Sequence, residues 1–304
     1  TGSGTKLGEG KEVVVKGYYK VENFKALNKV DNERIIIAGN IDVTEDCAWT
    51  PFEVAYTTGD SNWLGFEYWY AQGTISIADI TIEDKDGNLW IGTEGGGLNY
   101  YNRRTREFKW FRPEIGPNSI SHNNIKALYY DASKDIIWIG THLGGLNRLD
   151  IRSGRFTHYR MEAGNPETLP SDIIRDIAPY QDHLVIATQN GICLFDPANG
   201  KCQQLFQDSK EGKKIKMVAD VTFDSNGTLW IAATGEGVFS YRFDTGKLTN
   251  YRHDTADPHS ISNNNVNNIT QDSKGNLWFA TSGSGLDLYR PASNDFENFD
   301  QAKN

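Results

Sequence analysis

Cysteine is nearly missing from this chain: Cys47, Cys193 and Cys202 are the only three among 304 residues. So few, and an odd number, exclude a disulfide framework, and no CxxC pair is present to hold zinc. Long hydrophobic runs are missing too. The longest, such as Arg34-Ile-Ile-Ile-Ala38 and Ile136-Ile-Trp-Ile139, fall far short of the roughly 20 residues of a membrane helix. The chain as written is therefore expected neither to span a membrane nor to carry a secretory signal, although one can have been removed. Positive charge is in deficit, with 31 Lys and Arg against 40 Asp and Glu, a net charge of −9. That balance argues against nucleic acid, heparin-like polyanions or an anionic membrane surface as partner. The six histidines are scattered, and no HExxH, GxSxG or P-loop pattern occurs, so no catalytic residue is assigned and no cofactor or metal is implied.

What the chain does have is aromatics and glycine: 14 Phe, 14 Tyr, 8 Trp and 30 Gly. These favour short strands and tight turns over long helices. They are also periodic. Asn88-Leu-Trp-Ile-Gly-Thr93, Ile136-Ile-Trp-Ile-Gly-Thr141, His183-Leu-Val-Ile-Ala-Thr188, Thr228-Leu-Trp-Ile-Ala-Ala233 and Asn276-Leu-Trp-Phe-Ala-Thr281 are one phrase, with third positions 48, 47, 45 and 48 residues apart. Arg34-Ile-Ile-Ile-Ala-Gly39 is a fainter copy upstream.

Each phrase sits in a unit of four short strands. An inner strand such as Val266-Asn-Asn-Ile-Thr270 leads through a turn such as Asp272-Ser-Lys-Gly-Asn276 into the Trp strand. A glycine-rich bend such as Glu94-Gly-Gly-Gly97 follows, then a third strand, then a fourth with aromatics three apart: Phe108 and Phe111, Phe156 and Tyr159, Phe296 and Phe299. Such a unit cannot bury both faces alone. Stacked radially, neighbouring sheets close on each other with Trp and Phe in the wedge, which predicts an all-β fold, a β-propeller of four-stranded antiparallel blades. The expected blades lie near 21–76, 77–120, 121–169, 170–215, 216–261 and 262–300. The first is built from Phe24–Leu27, Ile35–Ala38, Phe52–Thr57 and Phe66–Tyr70. An N-terminal arm, 1–20, can add strands to close the ring, so six blades, or seven with one incomplete, are both open.

Ile80-Thr-Ile-Glu-Asp-Lys-Asp-Gly-Asn-Leu-Trp-Ile-Gly-Thr-Glu-Gly-Gly-Gly-Leu-Asn99 resembles the two-component regulator propeller repeat, and Tyr251-Arg-His-Asp-Thr-Ala-Asp-Pro-His-Ser-Ile-Ser262 resembles that family's connector between blades. The resemblance covers about three quarters of the chain. It implies a periplasmic or cell-surface sensor region, as in the hybrid two-component systems of Bacteroidetes, many of which respond to oligosaccharides. The implied partner is an oligosaccharide or other small ligand, with a homodimer mate or neighbouring propeller also possible. The second propeller, immunoglobulin-like domain, membrane helix and kinase of such sensors have no counterpart here, and residues 1–76 match poorly. The opening Thr1-Gly-Ser-Gly4 suits a segment following a lipoprotein cysteine, so a free-standing lipoprotein is the alternative to a sensor fragment.

Because strands alternate in direction, connector and glycine-rich bend should emerge on one face of the disc. That face gathers His122, Asn123, Asn124, His142, Glu94, Gln189, Asn190, Asn264 and Asn265, with Asp172, Glu236, Asn263 and Ser282 nearby in sequence. Amide and imidazole groups in that arrangement suit sugar hydroxyls around a central funnel; the blander role for such residues is to shape their own turns. A propeller lyase or carbohydrate-active enzyme would need a base there, with His122 and His142 nearest, and a protein-interaction scaffold is a third reading. Trp69 and Trp110 are expected to pack between blades; Trp49 and Trp63, in the irregular N-terminal part, are the freer aromatics. Asp84-Lys-Asp-Gly-Asn88 is expected to be a hairpin turn, because a calcium loop would want Glu where Gly95 stands. Cys193 and Cys202 flank a turn and can face each other, either as a disulfide or as two small apolar residues.

Overall fold

The structure, a computed structural model, describes residues 81–299 in full and, between residues 12 and 80, the backbone of the strands alone. The chain divides into two compact units, Thr1–Asp79 with Asn304, and Ile80–Lys303.

In the first unit, β1 (Glu12–Ala26) and β4 (Cys47–Thr57) form a long antiparallel ladder, and β1 also pairs with β6 (Ala71–Glu83). Separately, β2 (Arg34–Ile37) lies between β3 (Ile41–Val43) and β5 (Phe66–Trp69). These pairings differ from the blade expected over 21–76, which needed the segments near 24, 35, 52 and 66 to pair in sequence order. The physical reason is length: β1 is longer than a blade strand, and its ladder with β4 runs from Glu12 opposite Thr57 to Val21 opposite Cys47. Residues 1–11 of the N-terminal arm and Trp63 lie outside the described residues; Glu12–Lys20 of that arm is the start of β1.

The second unit consists of five four-stranded antiparallel blades. Blade 1 takes the end of β6, then β7 (Leu89–Thr93), β8 (Gly97–Asn102) and β9 (Glu107–Phe111). Blade 2 is β10 (Ile125–Asp131), β11 (Ile136–Thr141), β12 (Leu146–Asp150) and β13 (Arg155–Tyr159). Blade 3 is β14 (Ile174–Tyr180), β15 (His183–Thr188), β16 (Gly191–Asp196) and β17 (Lys201–Gln204). Blade 4 is β18 (Val218–Phe223), β19 (Leu229–Ala233), β20 (Gly237–Arg242) and β21 (Lys247–Tyr251). Blade 5 is β22 (Val266–Gln271), β23 (Leu277–Thr281), β24 (Gly285–Arg290) and β25 (Asp295–Phe299). Within each, strands pair in sequence order, and the inner strands β10, β14, β18 and β22 neighbour one another in turn. This is the propeller arrangement.

The wedge between blades is filled as the repeat requires. Trp90 packs with Ile120 and Ile125 of blade 2, Trp138 with Phe195 of blade 3, and Trp230 with Phe279 of blade 5. All three indoles are at most 3% exposed. Trp278 is only partly buried, because it points away from blade 4 while Leu277 and Phe279 on the same strand point toward it. Trp110 departs from expectation: it is 49% exposed. Phe111 on the opposite face of β9 packs on Trp90, while Trp110 shares its face with Phe108, which stacks on Tyr101. The side chains of Trp49 and Trp69 lie outside the described residues.

The glycine at the head of the third strand has a steric reason in blades 1, 2 and 4. A Cβ on Gly97, Gly145 or Gly237 would lie 2.4, 2.3 or 2.2 Å from the carbonyl oxygen of Phe111, Tyr159 or Tyr251. All three adopt positive φ, a region other residues enter at a cost. The backbone of the fourth strand's aromatic residue thus rests directly on that glycine.

Candidate functional site

The connector and the bend share a face, and main-chain hydrogen bonds show it. Gly97 N in the bend of blade 1 donates to Asn123 O at 2.8 Å, and His142 N in the bend of blade 2 donates to Asn124 O at 2.9 Å. Further round, Gly235 N and Gly237 N both donate to Asn264 O, and Ser282 N donates to Asn265 O. Each connector into a blade is therefore tied both to its own bend and to the bend before it.

Just inside this face, every inner strand from blade 2 to blade 5 carries a β-bulge at the same step. The register skips between Ile125 and Ala127, Ile174 and Asp176, Val218 and Asp220, and Val266 and Asn268. The extra residues are Lys126, Arg175, Ala219 and Asn267. A bulge re-aims a side chain without lengthening the partner strand. Here it delivers two cations to the neighbourhood of the bends: Lys126 Nζ reaches Glu94 Oε1 of blade 1 at 2.9 Å, and Arg175 donates to Gln189 Oε1 at 2.9 Å.

His142 stands among these groups. Its ring lies 6.2 Å, centroid to centroid, from that of His122 in an edge-on arrangement. His122 Nδ1 accepts the Asn124 N–H at 3.0 Å, which leaves its proton on Nε2. Burial, then the positive charge of Arg175 and Lys126, holds the imidazole of His142 below the usual histidine range. Glu94 is held below the ordinary carboxylate range by its hydrogen bond and charge contact with Lys126. Two polar atoms, Asn123 Oδ1 and His142 Nδ1, are buried without a hydrogen-bond partner among the described residues. Buried polar atoms without a partner are uncommon, and each calls for an explanation.

Of the residues expected from sequence, Glu94, His122, Asn123, Asn124, His142 and Gln189 come together in this cluster at the junction of blades 1, 2 and 3. The others do not join it. Asn190 donates to Pro170 O, Asn264 Oδ1 accepts from His253 N, and Asn265 lies at the connector of blade 5. Asp172 accepts from Met161 N and Arg160, Asn263 bonds Ser282 O, and Glu236 pairs with Arg252. Those are turn-shaping and connector-fixing roles.

Reading the sequence for loops missed Lys126 and Arg175, because both lie inside strands. It also missed a carboxyl pair beside them. Asp176 Oδ2 accepts the Val221 N–H of blade 4 at 3.1 Å, and Asp220 Oδ2 accepts the Ile269 N–H of blade 5 at 2.5 Å. Each aspartate thus fastens its inner strand to the next. Desolvation first, then the adjacent and hydrogen-bonded Asp220, pushes the Asp176 carboxyl well above the ordinary range. Charged residues in an otherwise apolar inner strand, as in Ile173-Ile-Arg-Asp-Ile177, were the available signal.

Family profiles match two parts of the chain. The two-component regulator propeller matches residues 77–95 and 260–283. Those two stretches match the two-component regulator propeller repeat. A second profile, the SMP-30/gluconolactonase/LRE-like region, matches residues 127–238. No curated protein matches the chain. Among solved structures, this chain is similar to the extracellular domain of a protein described as a hybrid two-component system from B. thetaiotaomicron, at 24% identity and TM-score 0.62, over 71% of this chain and 29% of that one. It is similar to the extracellular domain of another B. thetaiotaomicron protein, described as a one-component system, at 21% identity and TM-score 0.59, over 82% and 32%. It also resembles PorZ, a bacterial surface component of the type-IX secretion system of Porphyromonas gingivalis, at 13% identity and TM-score 0.57, over 76% and 38%. The chain spans about a third of the length of these proteins, and the likeness establishes the fold.

Proposed function

We propose that this regulator propeller is a non-enzymatic sensor module, exposed outside the cytoplasm, that binds an oligosaccharide on its connector face. The observation that carries this reading is the cluster at blades 1 to 3: imidazoles, amides and two bulge-borne cations from three blades, with Asn123 Oδ1 and His142 Nδ1 left without partners. Sugar hydroxyls donate and accept at once, so they suit a set that mixes acceptors with cationic donors. The repeat family and the extracellular regulator domains of the same fold support the sensing role. Binding would act by favouring one arrangement of this propeller with a neighbouring propeller or second copy, which a downstream element reads.

Calorimetric titration of the wild type and an Asn123→Ala, Asn124→Ala, His142→Ala variant against a panel of plant and microbial oligosaccharides tests it. The variant should lose binding with little change in melting temperature, because the inter-blade bonds at Asn123 and Asn124 use main-chain oxygens. Unchanged affinity in a folded variant removes the site from this face. The match to the gluconolactonase-like region over residues 127–238 favours a second reading, a hydrolase acting on the same cluster. Sugar-lactone hydrolysis by the wild type, lost in His142→Ala, would install that reading instead.

A further inference from the structure

The wedge between blades 4 and 5 is not filled like the wedge between blades 3 and 4. In the latter, Tyr180 stacks on Phe243 at 4.1 Å and on Phe223 at 5.2 Å between ring centroids, closing the outer end of the gap. Strand register assigns each of these three a counterpart one blade on. Ile177 opposite Ile186 corresponds to Val221 opposite Ile231, so Tyr180 corresponds to Asp224. By the same reasoning Phe223 corresponds to Gln271, and Phe243 to Pro291. All three aromatic plugs are replaced. A fourth departure deepens the gap: the residue opposite the central Trp or Val is Tyr100, Arg148, Leu194 and Leu288 in blades 1, 2, 3 and 5, but Ser240 in blade 4.

The result is a cavity of about 500 Å³ between blades 4 and 5, bordered by the Asp224 and Asp272 hairpins and so on the face opposite the connectors. Its lining combines three aromatic rings, Trp230, Tyr251 and Tyr289, with the hydroxyls of Thr228, Ser240 and Thr249. Tyr251 and Tyr289 both donate to Asn294 Oδ1, at 2.7 and 2.8 Å. That leaves the amide N–H groups of Asn294 and the phenolic lone pairs as further donors and acceptors.

We infer that this cavity is a second binding site, for a small neutral polyhydroxylated ligand of mono- or disaccharide size. The volume lies within the range of small-molecule sites. An apolar ligand would strand the hydroxyls and amides that line the space. A polyanion would meet Asp224 within the cavity and, with Arg242 engaged by Asp244 at 2.6 Å, would find the single cation Lys247 to balance it. Sugar rings present the remaining combination, apolar C–H faces against Tyr and Trp with hydroxyls around the edge. This goes beyond the connector-face reading and uses none of its residues.

The test is titration with glucose, galactose, maltose, cellobiose and glucuronate, followed by calorimetry and tryptophan fluorescence. The proteins are the wild type, two filled variants and the connector-face variant of the preceding section. The filled variants, Ser240→Leu and Gln271→Phe, each install the residue that a sister blade carries at that position. A neutral sugar should give a saturable signal in the wild type and the connector-face variant, weakened at least about tenfold in each filled variant that melts cooperatively. No saturable signal from any neutral sugar, or equal affinity in the folded filled variants, overturns the inference. Loss in the connector-face variant alone also overturns it, and supports the connector-face reading.

Discussion

Asp224 Oδ2 accepts the indole N–H of Trp230 at 2.9 Å, while its Oδ1 takes the main-chain N–H groups of Asn226 and Thr228, each at 2.9 Å. One carboxylate thus closes the hairpin and orients the ring that fills the next wedge. Asp84 with Trp90 and Asp272 with Trp278 repeat the device, both at 3.1 Å. The Asp at the start of the turn is therefore a hairpin lock, as its sequence position suggested.

Acid should release that lock in blade 5. The hydrogen bonds from Asn276 and Trp278 lower the Asp272 pKa to about 2. A carboxylate depressed in the folded state contributes stability that is present above its unfolded pKa, near 4, and fades as pH falls toward the folded value. Between about pH 4 and 2, amide exchange at Lys274 and Asn276 should accelerate in the wild type and be already fast in Asp272→Ala. Equal exchange in the two proteins at pH 6 would show the lock to be inert.

Trp138→Ala should destabilise the propeller by about 3–5 kcal/mol, the range for large aromatic truncations in packed cores. Its ring is 2% exposed and contacts Phe195 at 5.4 Å and Tyr159 at 5.9 Å. Trp110→Ala, at an exposed position, should cost far less. Urea denaturation of both variants gives the comparison, and similar midpoints would contradict the packing assigned to the repeated Trp.

The aspartate pair predicts the opposite pH dependence to the hairpin locks. Asp176 has its pKa raised in the folded state by desolvation and by Asp220. The folded protein then holds a proton that the unfolded chain gives up, so this group's contribution is most favourable below the unfolded pKa and declines as pH rises toward the folded one. Asp220→Asn removes the partner charge and keeps an oxygen for the Ile269 N–H. The fall in melting temperature above about pH 4 should be shallower in Asp220→Asn than in the wild type. Parallel profiles would show that Asp220 has no part in raising the Asp176 pKa.

Cys193 and Cys202 are unpaired, buried, and 2.8 Å apart between sulfurs. Burial, then the neighbouring thiol, pushes the Cys193 pKa well up, so thiolate, the reactive form, is scarce in the folded protein. Refolding in a glutathione redox buffer should therefore link the two with loss of two hydrogens, while the same buffer added to folded protein should react slowly. Intact-mass measurement distinguishes these, and rapid oxidation of the folded form would contradict the enclosed environment.

The repeat made blades 1 to 5 legible because turn, Trp strand, bend and aromatic strand each answer to a separate local rule. Glycine at the head of the third strand is needed beneath a carbonyl, and the Asp turn needs a carboxylate for its own amides. Blade pairing before residue 80 was not legible, since Val13–Val21 and the segments after it have β pattern without a repeated partner. The candidate site was half legible. Loop residues such as His142 and Asn123 stood out, whereas Lys126 and Arg175 were hidden by reading strands as strictly alternating. The cavity between blades 4 and 5 was hidden for another reason: it depends on Ser240, which stands where the four other blades carry a larger residue, and a search for likeness passes over such a difference.

The bulged residue of each inner strand is outside the pairing register of its ladder. Its identity is therefore released from the demands that hold Ile125, Ile174, Val218 and Val266 to apolar types, and the four blades carry Lys, Arg, Ala and Asn there. A propeller built this way has one mutable position per blade near its axis, each exchangeable without disturbing the scaffold. The side chains presented near the axis can then change by single substitutions while fold stability stays under separate selection.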